Sequence, residues 1–386
     1  MTFGTLTLIV AAGLAGPGLA GLRGSALPLV IGEIGAGVVI GNSGFQLIDP
    51  TDPVLVFLAQ IGFAMLMFVV GTRLPLRNPD LRAAVGRAAG AAAATMLVAV
   101  PFAIALSHVT TIHRTGLFIP LVATSSAAVA LPIVQERGLS GPVVLAVTAW
   151  ITVADIATIV GVPLVTSSGS AVKAGLGAVL VTLAALGMFL AVRSVSHAAW
   201  VGGLRDMSRE REWALDLRVS LVALFALVWL AVRFQTGVLV AGFAAGAVVA
   251  LAGEPKRLVQ QLLGLAEGFF VPLFFVTLGA RLDVRHLVSS PSDLWLTAAL
   301  AGSAVACHLI AAAVMRLPPG AGMLATAQLG VPTAVAALGL ANGSLDQGEA
   351  AAVVAAALLL LAVATGGALV LARGERPSGE EIRRPG

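Results

Sequence analysis

The sequence predicts an all-α polytopic membrane protein with about 13 transmembrane helices, arranged as two inverted five-helix repeats with two crossed discontinuous helices. Three observations lead to this fold class: the scarcity of charge, a weak internal repeat and a pair of matched helix breaks. Of 386 residues, 58% are hydrophobic and only 11% are charged. Soluble domains carry about 25% charged residues, so the composition excludes an ordinary soluble protein.

Apolar runs of roughly the 20 residues that a spanning helix needs recur along the chain. We expect a transmembrane domain over residues 1–373 and a short cytoplasmic tail over 374–386. The predicted helices lie near residues 4–21, 27–41, 53–72, 83–107, 116–136, 142–166, 172–193, 213–232, 236–252, 258–280, 293–315, 320–341 and 349–372.

The basic residues predict the orientation. Eighteen of the 23 lysines and arginines fall in loops on one side of the predicted membrane, and five fall on the side of the N-terminus. We expect the protein in the plasma (inner) membrane of the cell. Because cytoplasmic loops are enriched in basic residues, we expect its N-terminus outside and its C-terminus in the cytoplasm.

A weak repeat divides the chain. The stretch 71-GTRLPLR-77 matches 279-GARLDVR-285 at an offset of 208 residues, and 35-GAGVVIG-41 resembles 242-GFAAGAVVAL-251 at a similar offset. The two copies would cover about 27–166 and 236–372, with linker helices over 172–232. Equivalent helices of the two copies, the third and the tenth, are seven apart in the chain; an odd separation makes the copies inverted, and inverted repeats are typical of secondary transporters.

Two predicted helices contain residues that interrupt helices. The run Thr124, Ser125 and Ser126 lies between two prolines of the helix at 116–136, and the stretch from Gly330 to Thr333 lies near the centre of the helix at 320–341. An offset of 208 places Pro332 opposite Thr124, so we predict equivalent breaks there. The alternative is that proline is simply common in membrane helices and that the hydroxyls bond to their own backbone. The candidate residues of the second broken helix are Gln328, Pro332 and Thr333.

A single acid interrupts the apolar stretch 148-TAWITVADIATIVGVPL-164. Placing Asp155 at mid-membrane costs roughly 2.5–3.5 kcal/mol, which indicates a functional group. Such a carboxylate can hold a proton or a cation, and oxygen ligands suit hard monovalent cations. Thr152 lies three residues earlier on the same helical face, and either contributes to this site or bonds back to its own helix.

The sequence resembles a known family. The stretches 32-GEIGAGVVIGNSGF-45, 124-TSSAAVALPIVQERGL-139 and 269-FFVPLFFVTLGARLDV-284 are similar to motifs of the cation–proton antiporters of the sodium/proton exchanger superfamily. The similarity is to the branch with bacterial potassium-efflux and sodium–proton antiporters. It implies a homodimer in which a mobile core moves like an elevator against a rigid dimerisation part.

The resemblance also implies a function: exchange of Na⁺ or K⁺ for protons by alternating access. Asp155 would be the acid that binds the ion or proton, and Thr124, Ser125 and Ser126 the polar residues of the broken helix. With one acid in the motif we expect one cation for one proton, which is electroneutral. We expect no enzyme activity, because the five histidines are scattered and no metal-ligand spacing appears. Neither a cofactor nor nucleic acid is expected as a partner.

The chain departs from the family pattern at three places. Ala154 stands where the family has Asp, Asn or Gln; His308 is the nearest match to a lysine or arginine; and Pro332 or Thr333 replaces an acid. His308 is therefore a candidate pH-sensing residue or charge partner of Asp155. Two other functions stay open: a sodium-coupled symporter of an organic solute, and a transport-silent membrane sensor.

Two further expectations concern packing. The 44 glycines suit close helix contacts, with Gly86 and Gly90 as an example, or else reflect genomic base composition. Glu33 is interpreted as an acid at a helix start, where the positive end of the helix dipole favours it.

Overall fold

The computed structural model confirms the fold class. It describes residues 1–21, 29–73, 79–166, 171–195, 213–234, 238–252 and 256–374, together with residues 203, 207, 208, 210 and 211. Within these ranges all the long regular elements are helices, and one helix or several consecutive helices occupy each predicted segment; the segment at 258–280 includes a π-helical turn, Ala266–Phe270. Nine of them are long and apolar enough to cross a membrane, and three shorter helices are also apolar. The number that crosses the membrane stays a prediction, and the tail at 375–386 lies outside the described residues.

The helices are numbered here in chain order. In the first half they are α1 (Phe3–Gly13), α2 (Ala15–Ala20), α3 (Leu29–Ile40), α4 (Pro53–Arg73), α5 (Pro79–Val109), α6 (Thr115–Ala123), α7 (Ala127–Glu136), α8 (Pro142–Thr166) and α9 (Ala171–Val195). In the second half they are α10 (Leu215–Arg233), α11 (Val238–Ala252), α12 (Lys256–Leu265), α13 (Val271–Arg281), α14 (Val284–Ser289), α15 (Pro291–Val314), α16 (Pro319–Ala325), α17 (Gly330–Asn342) and α18 (Gln347–Gly374).

The contacts between helices divide the molecule into two bundles. In the first bundle α4 packs on α11, and α3 and α4 both pack on α13. In the second bundle α5 packs on α6, α8 and α15, while α18 packs on α15, α16 and α17. Helix α9 contacts α8 of the second bundle and α11 of the first. The two discontinuous helices, α6–α7 and α16–α17, therefore belong with the second bundle.

Glycines bring the helices of the first bundle into close contact. A Cβ added at Gly246 of α11 would lie 2.1 Å from the carbonyl oxygen of Phe68, and one added at Gly37 of α3 would lie 2.1 Å from that of Val276. Phe68 and Val276 are 208 residues apart, and Gly37 and Gly246 are 209 apart. The same crossing thus occurs twice at the offset of the sequence repeat. The opposite orientation of the two copies stays a prediction.

Two packing expectations are wrong. Gly86 and Gly90 are exposed, and a Cβ added at either would meet no atom of the described residues within 4 Å, because their face of α5 points away from the described helices. Glu33 is 5% exposed and lies in the second turn of the described part of α3, where its side chain contacts Gly16. It is therefore a buried acid between α2 and α3, and not an acid of the first helical turn.

The substitution Gly246→Ala is expected to lower the free energy of unfolding by about 1–3 kcal/mol, because the new methyl group overlaps the backbone of α4. The matched control is Gly90→Ala, which adds a methyl group to an exposed helical position with open space around it. Thermal unfolding of the purified protein in detergent measures both. Equal midpoints for the two variants would contradict the tight crossing.

Candidate functional site

The first discontinuous helix breaks where the sequence predicts. Helix α6 ends at Ala123, and Thr124 is extended with φ −71° and ψ 146°. The carbonyl oxygen of Ser126 accepts hydrogen bonds from the N–H groups of Val129 and Ala130, which starts α7. Small hydroxyl residues favour such a break because their side chains compete with the helix for backbone hydrogen bonds.

The second break lies earlier than predicted. Helix α16 ends at Ala325 and α17 begins at Gly330, so the non-helical segment covers residues 326–329. The prediction of a break at 330–333 is wrong, since Pro332 and Thr333 lie inside the first turn of α17. Proline is tolerated there because the first N–H groups of a helix have no partner within it. The offset between the two discontinuous helices is also smaller than the 208 residues of the sequence repeat: α6 starts at Thr115 and α16 at Pro319, which are 204 residues apart.

The two breaks touch each other through hydrogen bonds. The N–H of Ser126 donates to the carbonyl oxygen of Ala327 at 2.6 Å. The hydroxyl of Ser125 donates to the carbonyl oxygen of Ala325 at 2.7 Å, at the C-terminal end of α16. Each break therefore supplies partners for backbone groups that the other leaves free, as buried polar groups require.

Asp155 of α8 lies against the first break. Its side chain is 2% exposed, and Oδ2 accepts a hydrogen bond of 2.8 Å from the N–H of Ala127, the first residue of α7. The positive end of a helix dipole stabilises a carboxylate at this position. In the described structure Oδ1 makes no hydrogen bond, so one oxygen of the carboxylate stays available for a ligand.

A pair of hydroxyls adjoins this acid, and sequence reasoning named one of its members, Thr124, but missed the other, Thr158. The hydroxyls of Thr124 and Thr158 lie 2.9 Å apart, and Thr158 is fully buried. Thr158 comes three residues after Asp155, on the same face of α8. The i+3 spacing was a usable signal, as it was for Thr152 at i−3.

The other candidate residues divide into two groups. The hydroxyls of Thr152 and Thr333 bond to carbonyl oxygens of their own helices, Thr148 at 2.7 Å and Leu329 at 2.8 Å. Gln328 is 2% exposed within the second break, and its Oε1 has no hydrogen-bond partner in the described structure. A buried acceptor without a partner is costly, so Gln328 offers an oxygen for a ligand.

His308 contacts the first break and not the acid. Its Nδ1 lies 2.8 Å from the carbonyl oxygen of Ala304, and its Nε2 lies 3.3 Å from the hydroxyl of Ser125. The imidazole stacks on the indole of Trp150, with ring centroids 5.9 Å apart. Among the ion pairs of the described residues there is none between His308 and Asp155.

Comparison with known proteins identifies the family. The family model described as "Sodium/hydrogen exchanger, transmembrane" matches residues 6–372, which is nearly the whole chain. The chain belongs to the sodium/hydrogen exchanger family. The members of this family are transporters and not enzymes, and so is the solved structure that shares the fold.

Curated relatives share about a quarter of the aligned residues with this chain. The putative Na⁺/H⁺ antiporter YjbQ of Bacillus subtilis (strain 168) is 25% identical over 69% of this chain and 45% of its own length. The glutathione-regulated potassium-efflux protein KefC of Salmonella newport (strain SL254) is 27% identical over 69% of this chain and 43% of its own. The chain thus matches less than half the length of these relatives.

A solved structure shares the fold. The sodium proton antiporter MjNhaP1 from Methanocaldococcus jannaschii superimposes with a TM-score of 0.66, covering 96% of this chain and 97% of that protein, at 16% sequence identity. At this identity the likeness concerns the fold alone.

The substitution Ser125→Ala is expected to destabilise the protein by about 1–3 kcal/mol, because it leaves the buried carbonyl of Ala325 without its donor. Thermal unfolding in detergent measures this loss. Ser289→Ala is the control, since the Ser289 hydroxyl is exposed and, among the described residues, bonds to the carbonyl of His286 alone. An unfolding midpoint unchanged in Ser125→Ala would show that the two breaks do not depend on this bond.

Proposed function

We propose that the protein exchanges a monovalent cation, Na⁺ or K⁺, for protons across the membrane by alternating access at Asp155. The observation that carries this proposal is the place of the Asp155 carboxylate, buried at the start of α7, where the two breaks cross. Membership of the exchanger family supports it. The names of the relatives mention sodium and potassium, and we leave both ions in the proposal.

The physical basis of exchange is the cost of an ionised acid away from water. An unpaired carboxylate in a low-dielectric site is costly, and either a proton or a cation removes that cost. The two occupants compete for the same oxygens, so the site carries one or the other. If the second bundle moves only with a neutral site, cation movement one way is coupled to proton movement the other way.

The cation would be held by oxygen atoms, which hard cations prefer. We assign Oδ1 of Asp155, Oε1 of Gln328 and the hydroxyl of Thr124 as ligands. Each of these oxygens has lone pairs that accept no hydrogen bond from the described residues. Ser125 and Ser126 hold the two breaks together. Thr152, Pro332 and Thr333 shape the helices around the site, since the hydroxyls of both threonines are bonded within their helices.

His308 has a separate place in this proposal. Its contact with Ser125 links α15 to the first break. Protonation of the imidazole changes Nε2 from an acceptor into a donor. We therefore assign to His308 a pH-sensing role through Ser125, and not a charge pair with Asp155.

The proposal extends to the assembly and its location. We propose a homodimer in the plasma membrane with the N-terminus outside. The first bundle, whose glycine crossings are tight, would be the rigid dimerisation part, and the second bundle would be the mobile core.

The substitution Asp155→Asn is expected to reduce exchange to the level of protein-free vesicles. An amide side chain neither takes up and releases a proton near neutral pH nor carries the negative charge that neutralises a cation. The assay uses vesicles containing a pH dye, to which Na⁺, K⁺ or Li⁺ is added. The control, Asp49→Asn, makes the same chemical change at an exposed loop acid and is expected to retain exchange.

Three outcomes of this assay would contradict the proposal. Exchange that persists in Asp155→Asn would place the site elsewhere. Sodium-driven uptake of an organic solute without cation–proton exchange would indicate the symporter. Silence of the wild-type protein with every cation would indicate the sensor, which the alanine at position 154 favours.

Exchange is expected to be electroneutral, because Ala154 leaves one acid in the motif on α8. A net charge that crosses the membrane is worth about 2.3 kcal/mol per 100 mV, so an imposed potential would strongly change the rate of an electrogenic cycle. The initial rate should therefore be the same with and without a potassium-diffusion potential when Na⁺ is the transported ion. A voltage-sensitive dye that reports charging of the vesicles would contradict the single-acid scheme.

A further inference from the structure

Thr158 has a hydrogen-bonding role that the exchange scheme above does not use. Its hydroxyl lies 2.8 Å from the carbonyl oxygen of Ala154 and 3.1 Å from that of Asp155, both in its own helix. It also lies 2.9 Å from the hydroxyl of Thr124, in the first break. Thr158 is therefore the point where α8 and the first break meet through side chains.

The direction of the bond between the two hydroxyls follows from comparing the two arrangements of their protons. A threonine hydroxyl has one proton to donate and two lone pairs to accept with. In one arrangement Thr158 donates to the carbonyl oxygen of Ala154 at 2.8 Å and Thr124 donates to Thr158 at 2.9 Å. In the reverse arrangement Thr158 donates to Thr124, and the proton of Thr124 goes to the carbonyl oxygen of Ser125 at 3.3 Å. The first arrangement has the shorter bonds, and we assign it to the site.

This direction has a consequence for Thr124. With its proton held by Thr158, the Thr124 hydroxyl presents lone pairs, and not a proton, to the space beside the break. A hydroxyl free to rotate would point its proton toward a cation for part of the time, which repels the cation. Thr158 thus fixes Thr124 in the orientation that a cation ligand needs.

We propose that Thr158 is a positioning residue for the transported cation, acting through the hydroxyl of Thr124; this inference rests on the proposed cation site at Asp155. Thr158 does not itself touch the cation. It sets the orientation of one ligand and so contributes to cation affinity, while the proton carried by Asp155 is unaffected.

Other threonines of the chain show what an ordinary helical hydroxyl does. Thr182 in α9 bonds to the carbonyl oxygen of Ala178 at 2.7 Å, and Thr365 in α18 bonds to that of Leu361 at 2.9 Å. For neither of them does the described structure show a second hydroxyl within hydrogen-bonding distance. Thr158 shares their bond to the preceding turn and adds the contact with Thr124.

The test compares Thr158→Val, Thr158→Ser and the control Thr182→Val. Valine keeps the shape of threonine without a hydroxyl, and serine restores the hydroxyl. Two quantities are measured with NaCl, KCl or LiCl as the probe. The first is the cation concentration that gives half-maximal proton flux in vesicles. The second is the cation concentration that gives half of the maximal rise in unfolding midpoint in detergent, since a ligand stabilises the state that binds it.

We expect Thr158→Val to raise both half-saturating concentrations about tenfold, which corresponds to about 1.4 kcal/mol. The maximal flux should stay within about twofold, because the proton carrier is intact. Thr158→Ser should restore the wild-type concentrations, and Thr182→Val should leave them unchanged. The unfolding midpoint without cation shows whether each variant is folded, and a misfolded valine variant is replaced by Thr124→Val, which removes the oriented ligand itself.

Several results would overturn the inference. These are unchanged half-saturation in Thr158→Val, a loss of maximal flux alone, or failure of serine to restore affinity. Wild-type protein that binds cations in the unfolding assay but moves no protons would refute the proposed exchange. The role of Thr158 would then be decided by the half-saturating cation concentration in the unfolding assay alone. Wild-type protein that responds to no alkali cation in either assay would refute both.

Discussion

The hydrogen bond from the N–H of Ala127 to Asp155 is the interaction on which the site depends. A helical N–H is free to reach a side chain only where its helix starts, so this bond requires a break in mid-bundle. The break in turn leaves backbone groups to be satisfied, and the second break supplies the carbonyls of Ala327 and Ala325 for Ser126 and Ser125. The acid, the first break and the second break therefore depend on one another: removing any one leaves a buried polar group of another without a partner.

Both bundles contain close glycine contacts, since a Cβ added at Gly367 of α18 would lie 2.6 Å from the backbone nitrogen of Leu324 in α16, but the second bundle is also held by hydrogen bonds between its two breaks. In the first bundle, backbones approach so closely at Gly37 and Gly246 that a single methyl group would collide with a carbonyl oxygen. Such contacts are specific and resist sliding, because interdigitated backbones have no side chains that can adapt. The second bundle contains the two half-helix pairs, which are held to each other by hydrogen bonds. Hydrogen bonds between breaks fix the geometry of the site without fixing that bundle to its neighbour.

Sequence reasoning predicted the helices and the buried acid well, because long apolar runs and one charge within them are strong signals. It misplaced the second break, because Pro332 looks like a helix breaker although it lies in the first turn of α17, where proline is tolerated. It chose Gly86 and Gly90 as contact residues, although the spacing of small residues does not say which face of a helix meets a neighbour. It missed Thr158 although the i+3 spacing from Asp155 was a usable signal, and its bond to Thr124, 34 residues away in sequence, could not be predicted from that spacing. Contacts of this kind depend on tertiary packing, which no local pattern encodes.

The fate of each hydroxyl in the site shows why the breaks are needed at all. A threonine inside a helix can bond to the carbonyl oxygen one turn back, and Thr152 and Thr333 both do so. At the first break the hydroxyls of Thr124 and Ser125 instead contact other parts of the molecule, namely Thr158 and the carbonyl oxygen of Ala325. Unwinding thus releases side-chain oxygens as well as backbone carbonyls. A continuous helix with the same residues would present a cation with hydroxyls that are already bonded within it, and the buried carboxylate would have no N–H at a helix start to receive it.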